Sequence, residues 1–230
     1  MRQPDASLPQ VPLHPAPWNL RGSGWIVALK LPPGSAAADA WLPPVLVGQG
    51  RALASALMFV DYEESGCGPY RELLFIPGAF PFPDGRRHLS ISRIVVSTWD
   101  SVVNGRNNWG IPKDRADFEV TSLRPDGRAQ EVRVLDDGRE MCRLEFATLG
   151  WLPPLPVHSA VVPRGLRTLA QAFRDRTYYY APVASGWIRP ARLSSWRFDA
   201  SLWPDLAGAA VVAAVRVESF RMTFPVARID

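Results

Sequence analysis

Lysine, histidine and cysteine are scarce in this 230-residue chain, and each scarcity excludes a class of chemistry. Two cysteines, Cys67 and Cys142, cannot build a disulfide framework, so a reduced, cytoplasmic setting is expected. Cys142 falls in an expected strand and reads as an inert buried thiol. The three histidines, His14, His88 and His158, stand far apart without HxH or HExxH spacing, which argues against a metal centre. Glycine patterns that cradle phosphates or dinucleotides are absent, as are G-x-S-x-G and C-x-x-C, and no cofactor is expected. No apolar run reaches the ~20 residues of a membrane helix. Residues 1–17 are polar and proline-rich without the apolar stretch of a secretory signal, and read as an extended arm.

What is present suits one soluble domain, residues 18–230. Apolar residues make up 47% and charged residues 21%, a globular balance that disfavours disorder. The net charge of +4 raises nucleic-acid binding, but acidic residues interleave the arginines and no nucleic-acid motif accompanies them, so no nucleic-acid partner is expected. Short runs rich in Val, Ile, Leu, Phe and Trp, bounded by Gly, Pro or Asp, predict strands over 24–30, 52–60, 70–76, 88–97, 116–122, 131–135, 140–149, 191–199 and 209–217. Asp126-Gly127 and Asp137-Gly138 are hairpin signals and predict an antiparallel meander through 116–149. Two helices are predicted. One spans 99–105, capped by Ser97 or Thr98; the other spans 164–176, with Leu166, Leu169, Ala170 and Phe173 on one face. The fold class is α+β, mainly antiparallel β.

Only two of the 26 cations are lysines, Lys30 and Lys113. Lysine, unlike arginine, becomes a neutral nucleophile when desolvated. Lys30 ends a strand and reads as a solvated stem. Lys113 closes the stretch Gly105-Arg106-Asn107-Asn108-Trp109-Gly110-Ile111-Pro112-Lys113. Pro112 stiffens that loop, while Trp109 and Ile111 give it apolar cover. From the residues alone, Pro-Lys-Asp reads sooner as a polar turn leaving a strand than as a nucleophile's seat.

This stretch resembles the signature of the acetoacetate decarboxylase family, in which a segment opening with Gly-Arg-Glu and closing with Pro-Lys carries a Schiff-base lysine. A second block, Ser65-Gly66-Cys67-Gly68-Pro69-Tyr70-Arg71-Glu72-Leu73, resembles the family's glycine-rich turn followed by a tyrosine and an active-site glutamate. Leu42-Pro43-Pro44 and Trp18-Asn19-Leu20-Arg21-Gly22 are weaker matches, and Gly138 to Gly150 a loose one. The resemblance implies a cone-like closed β-barrel with a few flanking helices. It also implies a homo-oligomeric lyase acting on a small keto acid, with no membrane partner. Lys113 is then the nucleophile and Glu72 the proton carrier. Arg21 stands where the family holds a substrate carboxylate, and Asn107, Trp109, Leu57 and Tyr70 are expected around the substrate. Three departures stand out: the family's second lysine is Asp114 here, and two of its glutamates fall at Asn107 and Leu57. An organic-acid-binding protein on the same fold is the alternative.

Overall fold

The computed structural model describes residues 8–52, 54–150 and 152–230. Residues 1–7 of the expected arm, and Leu53 of the expected strand 52–60, lie outside them. The chain opens with β1 (Trp18–Lys30), β2 (Ser55–Glu64) and β3 (Tyr70–Ile76), then a small hairpin of β4 (Gly78–Pro81) and β5 (Arg87–Ser90). Next come β6 (Arg93–Val96), the helix α1 (Trp99–Trp109) and β7 (Lys113–Arg115). The meander follows as β8 (Asp117–Ser122), β9 (Ala129–Asp136) and β10 (Arg139–Thr148). After β11 (Leu155–His158) and a single helical turn, α2 (Arg164–Arg167), come β12 (Leu169–Phe173) and β13 (Arg176–Tyr180). Long strands β14 (Val183–Phe198) and β15 (Ala210–Phe224) and a short β16 (Arg228–Ile229) complete the chain.

The larger sheet runs β7-β6-β3-β2-β1-β15-β14-β10-β9-β8, with β11 added on β14. Its two end strands, β7 and β8, are separated in the chain by Ala116 alone. The sheet must therefore curl until its ends lie within one residue's reach. No ladder joins them among the described residues, so the expected closed barrel is replaced by a curled sheet with an open seam. Arg71 of β3 also reaches β8, its Nη1 donating to the Phe118 carbonyl at 3.3 Å. A second sheet, β16-β13-β12-β5-β4, packs outside the curl.

Period-two alternation gives the curled sheet two different faces. Val27, Leu57, Phe59, Leu73, Phe75, Val95, Val132, Leu144 and Phe146 come from strands all around the curl and fill its inside. Leu20, Tyr62, Tyr70, Leu74, Ile94 and Ile111 belong to the opposite face and meet Val102 and Trp109 of α1 and Tyr178 of β13.

The expected helix at 164–176 forms only as α2, and residues 169–180 become the β12–β13 hairpin instead. Arg174 and Asp175 both take positive φ, +50° and +59°, the two-residue turn that matches strand twist. Tyr178, Tyr179 and Tyr180 then bury as strand residues. The helix at 99–105 extends to Trp109, where Gly110 ends it at φ +62°. Residues 8–17 are extended and tied to α1: His14 N–H donates to Asn104 Oδ1 at 2.7 Å, and Asn108 Nδ2 donates to the His14 carbonyl at 2.8 Å. No helix among the described residues is long and apolar enough to cross a membrane.

Candidate active site

The β6–α1–β7 crossover builds the site, because a parallel strand pair needs an intervening connection. Register puts Lys113 opposite Ile94, Ile94 opposite Leu74, and Glu72 opposite Val96. Alternation therefore gives Lys113, Leu74 and Glu72 one common face, the outer one. Asp114 pairs with Val95 and falls on the inner face with Arg93.

Lys113 is 3% exposed. Its Nζ donates to Glu72 Oε2 at 2.9 Å, to Ser101 Oγ at 3.0 Å and to the Tyr70 hydroxyl at 3.4 Å. The same nitrogen lies 4.9 Å from the centre of the Tyr70 ring. Glu72 is 4% exposed, and its second oxygen, Oε1, accepts from the Tyr62 hydroxyl at 3.2 Å. Burial pushes the Tyr62 hydroxyl well above the usual phenol range, and the Glu72 charge adds to that. Tyr70 is raised well above it for the same two reasons, in the same order. Both hydroxyls are thereby held as proton donors. Burial likewise pushes the Cys67 and Cys142 thiols up, away from nucleophilic thiolates.

The Gly-Arg pair has a mechanical reading. A Cβ at Gly105 would stand 2.7 Å from Lys113 Cδ, so a glycine leaves the passage through which the lysine stem runs. Arg106 Nε donates to the Lys113 carbonyl at 2.9 Å, and its Nη2 pairs with Asp114 at 2.8 Å. Arg93 also pairs with Asp114. The backbone of Lys113 is thus clamped from behind by a buried ionic cluster, with the amine projecting forward.

In front of the amine lies a cavity of about 740 Å³. Leu20, Met58, Leu74, Ile94, Trp109 and Met222 are among its walls, with Glu72, Lys113, Tyr62 and Tyr70 at the buried end. Trp109 is fixed there by its Nε1–H, which donates to the Pro225 carbonyl at 2.6 Å, and by edge contacts with Trp18 and Phe224.

Of the residues expected at the site, the structure brings together Lys113, Glu72, Tyr70 and Trp109. The other three lie elsewhere. Arg21 lies on the face of β1 opposite Leu20; half its side chain is exposed, and it pairs with Glu63 at 3.3 Å and Glu64 at 3.6 Å. Asn107 is exposed on α1, where its Oδ1 accepts from Arg174 at 3.4 Å. Leu57 is buried in the inner core, because β2 turns its odd-numbered residues inward and sends Met58, Val60 and Tyr62 to the cavity. A one-residue difference in register changes the face, and counting back from Glu72 does not resolve it. Ser101 and Tyr62 were not expected. Ser101 carries no sequence signal, since only the crossover brings the first turn of α1 to Lys113. The alternation of β2 would have pointed to Tyr62 had its face been known. No group of three or more His, Cys, Asp or Glu residues among those described could hold a metal ion.

Comparison with known proteins agrees with this architecture. The family model for acetoacetate decarboxylase matches residues 10–227. A search of curated proteins finds no match. Among solved structures, an acetoacetate decarboxylase from Legionella pneumophila superposes with a TM-score of 0.66 at 12% identity, over 98% of this chain and 92% of that one. An acetoacetate decarboxylase-like enzyme from Sphingomonas wittichii gives 0.65 at 14% identity, over 94% and 93%. The enduracididine biosynthesis enzyme MppR, complexed with the condensation product of pyruvate and imidazole 4-carboxaldehyde, gives 0.65 at 17% identity, over 94% and 90%. At these identities the likeness is one of fold.

Proposed function

The chain belongs to the acetoacetate decarboxylase family, and from that premise we propose that it is a Schiff-base lyase acting on a keto acid through Lys113. The observation that carries this reading is the Lys113 amine, buried at the end of an apolar cavity and 2.9 Å from the Glu72 carboxylate. A nucleophilic amine must shed its proton, and Glu72 is placed to receive it. Nζ then adds to the ketone carbon, and the carbonyl oxygen takes up protons and leaves as water. The resulting iminium draws in the electron pair of the C–CO₂ bond, CO₂ departs, and an enamine remains. Protonation at carbon and addition of water return the ketone product and the free amine. Glu72 carries the protons, with the Tyr70 and Ser101 hydroxyls within reach of Nζ.

The same enamine could add to an aldehyde and lose water, and the condensation product bound by the fold relative MppR favours keeping that outcome open. Arg21 is not at hand to hold a carboxylate, so among the described residues the substrate acid meets Lys113 without a guanidinium at the buried end of the cavity. The proposal includes a cytoplasmic setting, in keeping with the two free cysteines, and a homo-oligomer, which rests on the family resemblance alone.

Borohydride reduction in the presence of keto acids tests it. A stable mass adduct is expected on the native chain and none on Lys113→Ala. Saturable binding without any adduct would overturn the lyase reading in favour of an organic-acid-binding protein.

A further inference from the structure

The cavity is far larger than the chemistry at its end requires. A four-carbon keto acid would occupy the neighbourhood of Lys113, Glu72 and Tyr70 and leave most of the ~740 Å³ unfilled. That volume lies in the upper part of the range for pockets that enclose drug-sized ligands, roughly 300–1,000 Å³. The walls beyond the lysine include Leu20, Met58, Leu74, Ile94, Trp109 and Met222. The aliphatic members offer water no hydrogen bond, and the Trp109 N–H is already given to a carbonyl. Water in such a space lacks the two to four polar partners that hold a buried water. It is therefore readily displaced by hydrocarbon.

Among the described residues lining it, polar side chains recur at the other end, where His158, Ser159, Arg167 and Ser185 form the rim. His158 Nδ1 accepts from the Ala160 N–H at 3.1 Å, and Arg167 Nη1 donates to the Ala181 and Pro182 carbonyls at 3.0 and 2.9 Å. Val157, Val161 and Val162 continue the apolar surface outward from the cavity, exposed by 40%, 84% and 40%. Met58 and Met222 supply walls that adapt to the shape of an occupant.

We propose that the substrate is a keto acid with a bulky hydrophobic body, a long alkyl chain or an apolar ring system. The body fills the cavity towards the rim while the ketone meets Lys113. This rests on the Schiff-base reading for its head group but not for its body.

The test uses the native protein and straight-chain 3-oxo acids of four to fourteen carbons, with a phenyl-bearing member as a separate arm. Half-saturation is read from the borohydride-trapped adduct on Lys113. In parallel, calorimetry follows binding of the matching 2-alkanols, which cannot form an imine. Half-saturation should fall about fourfold for each added methylene until the cavity is full. Met58→Trp should bring that plateau to a shorter chain. A phenyl-bearing acid that outperforms the alkyl acid of equal carbon number assigns the body as a ring; the reverse assigns it as a chain. Equal trapping across the series, with alkanols binding no better as they lengthen, overturns the proposal and leaves the lyase reading standing. No adduct with any acid, while alkanol affinity still climbs with length, overturns the lyase reading and supports the hydrophobic occupant.

Discussion

The two faces of β1, β2 and β3 share one backbone and do opposite work. Leu57, Phe59, Leu73 and Phe75 point inward and are fully packed; Met58, Tyr62, Glu72 and Leu74 point outward and border a cavity. The inner face gains from contact on every side. The outer face forgoes part of that packing, leaving space in front of a buried lysine and glutamate. Stability and chemistry are thus separated by a single residue step along each strand. The boundary is sharpest at β7, where Lys113 faces the cavity and Asp114 anchors the strand to Arg93 and Arg106 on the other side.

Substitutions on each side can break or sharpen that contrast. The largest stability loss is expected for Asp114→Asn, which removes a buried anion shared by the Arg93 and Arg106 guanidiniums, at a cost of about 3–5 kcal/mol. Because Asp114 faces away from the amine, the pH at which the Lys113 adduct forms should stay where it is in the native protein. Denaturant titration and borohydride trapping across pH measure the two effects, and a displaced trapping profile would contradict the two-face arrangement.

Next come Leu57→Ala and Leu74→Ala, the same change on opposite faces. Leu57→Ala opens a void in a closed core and should cost about 2–5 kcal/mol. Leu74 already borders empty space, so its truncation should cost under about 2 kcal/mol. Equal losses in urea midpoints would show that the cavity face is packed as tightly as the core.

The smallest effect concerns the tyrosines. Tyr62 is raised well above its usual range by burial and then by Glu72. Below about pH 10 both the folded and unfolded chains keep this proton, so stability does not depend on it. Above about pH 10 the unfolded chain releases the proton first, and stability falls as pH rises. Tyr62→Phe removes that contribution, so its loss of stability between pH 9 and pH 11 should be smaller by about 1 kcal/mol. An equally steep decline in the variant would mean that the hydroxyl titrates as freely folded as unfolded.

Much of the fold was legible along the chain. The meander over 116–149 matches β8, β9 and β10, and the strand at 70–76 is β3, because alternation and Asp-Gly turns are local signals. The segment 164–176 was misread because Leu166, Leu169, Ala170 and Phe173 fit helical spacing. The turn at Arg174-Asp175 and the three tyrosines after it pair the segment as a hairpin instead. At the site, Lys113 drew notice as one of two lysines, and the family resemblance gave it and Glu72 their roles. Arg21, Asn107 and Leu57 were carried by position in an alignment, which does not say which way a side chain points.

By itself the sequence determined the meander and the strand at 70–76 and, with the family resemblance, drew attention to one lysine, since turn chemistry and alternation act over a few residues. Only the tertiary structure decided which face of each strand met solvent, core or cavity. It also decided that Ser101 and Tyr62 join the site, because 12 residues of chain separate Ser101 from Lys113 and 10 separate Tyr62 from Glu72. Their meeting depends on a crossover and a strand register that no short window of sequence contains.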